Sequence, residues 1–341
     1  MAFVERTNPG KLALLSAKIY HSVPGQPHRF SAPSPDDSTL PSSTTTTTNT
    51  AIPPWSNPDR IEQVKQKRRN NKTRFRQHVN PLAIQYQQHT ILSDAWPQDV
   101  FDDCSKPLFL DIGCSKGGFL IKYVNATAAS DYNYLGLEVR PMVAAYAKER
   151  IAVHNLTGKL DFLGCNANVD LDRILNRYGN SYQEAFTRIT SSAALESSSP
   201  AAHCLHGVTI QFPDPHFKSH HAKRRMVTPE LVNVLAKHCL TGSHYNGDDH
   251  QTRNGGAFIL LQSDVQSVLD EMRRHFRKNM YFVDTLARED EYLPDNPLGV
   301  PTERELSVLN RNLPVYRAMF IRNEKVYAQN ERNQDELQTW K

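Results

Sequence analysis

No stretch of this 341-residue chain approaches the 18–20 consecutive apolar residues of a membrane-crossing helix, which excludes a span of that kind. Cysteine is also scarce. The five present (Cys104, Cys114, Cys165, Cys204 and Cys239) are scattered, odd in number and free of any Cys-x-x-Cys pair. That argues against a zinc knuckle or a disulfide framework and for a reducing compartment. No glycine-rich loop ends in Gly-Lys-Ser/Thr, so a P-loop phosphate cradle is missing. His216, His220 and His221 cluster without a cysteine or a second carboxylate, and no metal site is expected there. Acids are nearly absent from residues 1–58, which hold only Glu5, Asp36 and Asp37 among Ser, Thr and Pro. Such a segment cannot bury enough apolar surface to fold, and a disordered tail is expected. Its hydroxylated, acid-poor composition equally fits an organellar transit peptide, placing the chain in a plastid or other organelle; cytoplasm or nucleus is the alternative. No internal repeat is visible.

What is present is concentrated in a few places. The net charge is only +4, yet residues 60–78 carry eight Lys/Arg and a single acid, and Arg273 to Lys278 adds four more basics. Patches of this kind suit phosphate groups. A second basic block follows the apolar run at Val208–Ile210. There Phe212-Pro-Asp-Pro-His-Phe-Lys218 continues through His220 and His221 to Lys223, Arg224 and Arg225 without another acid. Each proline fixes its own φ and pushes the preceding residue toward extended geometry, so Asp214 is held on stiff backbone at a strand end. A rigid carboxylate beside a cationic surface suits a polyanionic substrate whose reacting part needs an acceptor, as a nucleobase on a phosphate chain does. A Pro-rich turn followed by a solvated charged face is the plainer alternative.

Upstream, Leu108-Phe-Leu-Asp-Ile-Gly-Cys-Ser-Lys-Gly-Gly-Phe-Leu120 reads as a strand, a tight glycine turn and a helix, the opening of a nucleotide-binding α/β unit. Ser115 stands where such loops usually carry their middle glycine. The next apolar run, Tyr134 to Val139, carries Glu138, 27 residues beyond Asp111, where these folds bind ribose hydroxyls. A third run, Lys159 to Cys165, enters Asn166-Ala-Asn168, a short amide able to bind an adenine edge. Ligands of open α/β sheets sit at the carboxyl ends of the strands, and three successive ends here carry Gly/Asp, Glu and Asn. With no phosphate cradle, S-adenosylmethionine fits better than a nucleoside triphosphate.

Strands are expected near 108–112, 133–138, 158–163, 207–212, 256–261, 280–284 and 314–321. Helices are expected near 117–128, 141–155, 169–178, 229–240 and 264–278. That alternation argues a parallel sheet built by right-handed crossovers. Residues 179–205 and 241–256 are polar and are read as loop insertions.

The ordered series Arg74–Leu82 (with His-Val-Asn-Pro-Leu), Asp111–Gly118, Gly136–Arg140, Asn166-Ala167, Phe212–Lys218, Thr302-Glu-Arg-Glu305 and Leu313-Pro-Val-Tyr-Arg317 resembles the tRNA (guanine-N7-)-methyltransferases, the cyanobacterial and plastid type most of all. The likeness covers roughly residues 70–325. It implies a Rossmann-like class I methyltransferase fold: a seven-stranded, mostly parallel sheet with helices on both faces, in a domain over residues 59–330. A basic arm (59–82) would precede the sheet and a tail (331–341) would follow. It implies S-adenosylmethionine as cofactor, held by Asp111, Gly113, Glu138, Val139, Asn166 and Ala167. Asp214 would be the catalytic carboxylate, with tRNA contacts at Asp214, Lys218, Asp264, Thr302, Glu303, Arg304 and Glu305. Some eukaryotic members work with a β-propeller subunit, so such a partner is possible. Two other functions stay open at this level. One is a Rossmann methyltransferase acting on another RNA base, though its loop would more typically read Asp/Asn-Pro-Pro-Tyr/Phe. The other is an RNA-binding homologue that has lost catalysis, against which stand the intact Asp111, Glu138, Asn166 and Asp214.

Overall fold

The apolar run Leu108–Ile112 forms strand β1 and is buried at every position, as befits a central strand covered on both faces. The structure, a computed structural model, describes residues 78–127, 131–190, 203–217, 219–240 and 256–323. Strands β2 (Asn133–Glu138), β3 (Leu160–Gly164), β4 (Leu205–Gln211) and β5 (Phe258–Ser263) join β1 in parallel. β6 (Phe282–Asp284) and β5 both pair antiparallel with β7 (Tyr316–Arg322). The order across the sheet is β3-β2-β1-β4-β5-β7-β6, so winding reverses between β1 and β4 and opens a crevice at their carboxyl ends.

Successive side chains of a strand point to opposite faces, and the core divides accordingly. Phe109 packs with Phe119, Leu120 and Ile151, from helices α1 (Gly118–Ala126) and α2 (Pro141–Val153). Leu108, Leu110 and Ile112 pack on the other face with α3 (Ala167–Thr190), α4 (Pro229–His238) and α5 (Gln266–Lys278). Each fully buried Leu, Ile or Phe contributes about 1.5–3 kcal/mol, so both layers are needed to hold the sheet. The expected seven-stranded, mostly parallel Rossmann-like sheet with helices on both faces is what forms.

Two expectations need correction. Residues 179–190 are not a loop but the last turns of α3, which ends at Thr190. Ser181 donates to the Arg177 carbonyl and accepts from Gln98, and Tyr182 stacks on Phe186 four residues on, one helical face at this spacing. The polar residues that suggested a loop mostly form the helix's outer side. Helix α6 (Glu303–Leu309) was not foreseen, although Thr302-x-x-Glu305 is the signature of a capping box and forms one here. The expected tail 1–58, basic residues 59–77, segments 191–202 and 241–255, and tail 331–341 lie outside the described residues.

Candidate active site

The turn after β1 is glycine-built for two reasons. Gly113 (φ 85°) and Gly117 (φ 69°) take left-handed conformations, and a Cβ at Gly117 would lie 2.4 Å from the Phe162 ring. Ser115 adopts φ 51°, the geometry its missing glycine would have supplied, so the loop keeps its shape at a local steric cost. Amides of Gly113 and Cys114 donate to the Leu137 carbonyl (2.8 and 3.0 Å), and Arg150 on α2 donates to the Lys116 carbonyl (2.6 Å). Asp111 lies beneath this turn, 3% exposed, accepting from Thr209 Oγ1 at 2.6 Å. Burial raises its carboxyl to about 7, the Thr209 and Gln211 side chains oppose the rise, and the Glu138 charge adds to it.

Glu138, at the end of β2, is also buried, and its carboxylate already has a partner. Arg140 donates through Nε to Oε1 (2.7 Å) and Nη2 to Oε2 (3.0 Å), and its backbone amide donates to Oε1 (3.0 Å). The pair holds the Arg140 guanidinium above its ordinary pKa, with smaller help from Asp214 and Tyr86. Arg140 therefore lies in the field of both the Glu138 and the Asp214 carboxylates, a link the sequence does not reveal. Val139 follows at the strand end, half-buried. Asn166, after β3, donates through Nδ2 to the Pro81 carbonyl (3.2 Å) and accepts through Oδ1 from the Asn168 amide (3.1 Å); Ala167 opens α3. The segment bearing Pro81 is pinned to α3 further on, where buried Asp170 accepts from the Thr90 amide and pairs with His89.

Asp214 lies past β4 in a loop with two left-handed non-glycine residues, Phe212 (φ 50°) and His216 (φ 43°). His78 Nδ1 donates to Asp214 Oδ1 at 2.7 Å; this residue lay in the His-Val-Asn-Pro-Leu motif without an assigned role. Burial, with Arg224, His78 and Arg225 nearby, lowers the His216 pKa against the pull of Asp214. Phe212 is half-buried, whereas Phe217 is 73% exposed and open to a stacked base. Lys218 lies outside the described residues.

The remaining expected substrate residues divide into two groups. Asp264, just past β5, is ion-paired with Arg304 at the rim. Glu303 stands over the start of α1, its Oε1 3.0 Å from where a Cβ on Gly118 would be. Thr302 and Glu305 are committed to the fold. The Thr302 hydroxyl accepts from the Glu305 amide (2.9 Å). Buried Glu305 accepts from Arg317 through Oε1 (2.7 Å) and from Asn296 through Oε2 (2.9 Å). Glu305, expected as a substrate contact, thus has both carboxylate oxygens engaged inside the fold. Arg273 is likewise no phosphate contact. It is buried and donates to Asp284 (2.9 Å), which also accepts from Arg277 (2.7 Å).

The carboxyl ends of β1, β2 and β3 thus gather a glycine turn, an acid and an amide, and the adjoining end of β4 presents Asp214. A family described as "Putative methyltransferase" matches residues 105–318. The tRNA (guanine-N(7)-)-methyltransferase of Synechococcus elongatus is 42% identical over 253 residues, 74% of this chain and 97% of that protein. The enzyme of the same name from Microcystis aeruginosa is 38% identical over 252 residues, 73% of this chain and 98% of its own. With this identity spread over nearly the full length of these relatives, the chain belongs to the tRNA (guanine-N(7)-)-methyltransferase family.

Proposed function

We propose that this chain transfers a methyl group from S-adenosylmethionine to N7 of a guanosine in the variable loop of tRNA. The residues present fit that cofactor by their chemistry: a carboxylate for a ribose diol, an amide for an adenine edge, and a close-approach turn for the amino-acid end. Bound there, S-adenosylmethionine supplies a methyl group already activated by the sulfonium charge. Guanine N7 carries an in-plane lone pair that is unprotonated at neutral pH, so no residue has to remove a proton from the nucleophile.

What the chain contributes is alignment and charge. Asp214 accepts from the guanine N1–H and N2–H groups and offsets the positive charge that develops on the ring. Glu138 and Asn166 hold the cofactor, with Gly113, Val139 and Ala167 lining its backbone path and Asp111 supporting the turn. Asp264, Glu303, Arg304 and Lys218 contact the RNA side, where an unstacked base is read by edge hydrogen bonds and stacking. The observation that carries the reading is the juxtaposition at the switch point: a nucleoside-type cradle on three strand ends and a rigid Pro-Asp-Pro carboxylate on the fourth.

The test is labelled methyl transfer from S-adenosylmethionine to unmodified tRNA, followed by aniline cleavage at 7-methylguanosine. Label without strand cleavage would point to another base. Activity of the purified chain alone would dispose of an obligatory β-propeller subunit. Residues 1–58, acid-poor and rich in hydroxyls, support delivery to a plastid or other organelle. A fluorescent fusion to this segment that stays in the cytosol would reject that assignment.

A further inference from the structure

The loop that carries Asp214 departs from relaxed backbone at both ends, and a hydrogen bond holds each departure in place, one from the backbone and one from a side chain. Phe212 and His216, four residues apart, both occupy the left-handed region without being glycine. Such conformations persist only where the surroundings over-determine them. At the first end the Phe212 amide donates to the Gln262 carbonyl at 2.7 Å. At the second end Arg225 reaches back from beyond the 3-10 helix Ser219–Arg224 and donates through Nε to the Pro215 carbonyl at 3.2 Å. The same guanidinium pairs through Nη1 with Glu271 on α5. Both side chains are only 24% exposed. The planar fork thus joins the residue after Asp214 to a helix of the core.

The basic run Lys223-Arg-Arg225 suggested phosphate contacts for all three residues. The geometry singles out the third. We propose that Arg225 is a positioning residue for methyl transfer. Tethered by Glu271, it clamps the Pro215 carbonyl and so sets the direction of the Asp214 carboxylate, and it makes no tRNA phosphate contact. A lysine could preserve the charge, but its single ammonium cannot reproduce the planar fork that reaches carbonyl and carboxylate together. The proposal rests on the methyltransferase reading above, and wild-type methylation in the same assay keeps the two apart. If the wild type transfers no methyl group, it is the functional reading that fails.

Arg225→Lys, Glu271→Ala and the double variant are compared with wild type for single-turnover rate, KM for tRNA, cofactor affinity and the salt dependence of tRNA binding. A clamp predicts a rate loss of about 10- to 100-fold for Arg225→Lys, the scale of a small misalignment of reacting groups. KM, cofactor affinity and salt slope should stay within about twofold. Glu271→Ala should lose rate in the same direction, and the double variant no more than the worse single, because both act through one contact. A phosphate contact predicts the opposite sign at Glu271: freeing Arg225 from its acid would tighten tRNA binding and leave the rate unchanged or higher. That result overturns the proposal, as does full activity of Arg225→Lys. Should Arg225→Lys fail to fold, as judged by its melting curve, the isosteric Glu271→Gln decides on the same readouts.

Discussion

At the scale of single residues, the carboxylates Glu138, Asp214 and Asp264 of the site each meet a basic side chain. Asp214→Ala should lower the methyl-transfer rate by at least about 10²-fold, on the scale of removing a preorganised polar group at a reacting centre, with cofactor affinity within a few-fold. Equal loss of cofactor binding would move Asp214 into the adenosyl pocket. Glu138→Gln should weaken S-adenosylmethionine binding about tenfold or more, since a charge-assisted hydrogen bond is worth roughly 1.5–3 kcal/mol. It also leaves Arg140 without its acid, so stability is measured alongside affinity; unchanged calorimetric affinity in a folded variant rejects the ribose assignment. Asp111 has a pH signature of its own. Its carboxyl is raised from 3.8 to about 7, so between those values the folded chain holds a proton that the unfolded chain has released. Its contribution to stability therefore falls as pH rises through that window and levels off above about 7. Asp111→Asn removes the titration, and its stability relative to wild type should climb between pH 5 and pH 8 in urea unfolding. A difference that stays flat with pH would mean that Asp111 does not titrate in this range.

At the scale of elements, α6, a segment expected to touch substrate, also anchors the site to the sheet. Thr302 caps the helix, and Glu305 ties it to Arg317 on β7, leaving Glu303 and Arg304 on the outer turn toward α1 and Asp264. Thr302→Ala should cost about 1 kcal/mol, the usual loss for an N-cap. Glu305→Gln breaks a pair whose side chains are 2% and 5% exposed, and should cost about 3–5 kcal/mol because Arg317 is left buried without its counter-charge. In chemical denaturation Glu305→Gln should therefore fall well below Thr302→Ala. A Glu305→Gln protein of wild-type stability with poor tRNA affinity would return Glu305 to the substrate side.

At the scale of the whole molecule, basic residues 60–77 come immediately before His78, whose imidazole meets Asp214. Truncation at two neighbouring points separates their roles. Removing residues 1–77 takes away twelve Lys/Arg and five acids, eight of those Lys/Arg within residues 60–77, but keeps His78, so the domain should fold and bind S-adenosylmethionine while tRNA binding weakens. The salt slope should become shallower by several units, because each phosphate neutralised releases about one counterion. Removing His78 as well should lower the rate further without another change in slope. Removing only residues 1–58 should change neither quantity. If the longer truncation binds tRNA with full affinity and slope, the RNA surface lies elsewhere, with the residues around Lys218 to Arg224 first in line.

The sequence by itself determined the sheet and the chemistry at its strand ends. Near-continuous apolar runs mark five parallel strands to within about two residues, because a strand buried on both faces tolerates little else. Gly113, Glu138, Asn166 and Asp214 are legible because strand–turn–helix order places them at one edge of the sheet. Local pattern does not report which polar groups satisfy one another, and the tertiary structure decided that. Asp214 meets His78 across 136 positions of sequence, and Arg225 meets Glu271 across 46. Glu138 was expected to be open to ribose, yet the fold gives it Arg140. Glu305 and Arg273, read from sequence as surface contacts, are drawn inward because burying a charge requires a partner, and only the folded chain supplies one.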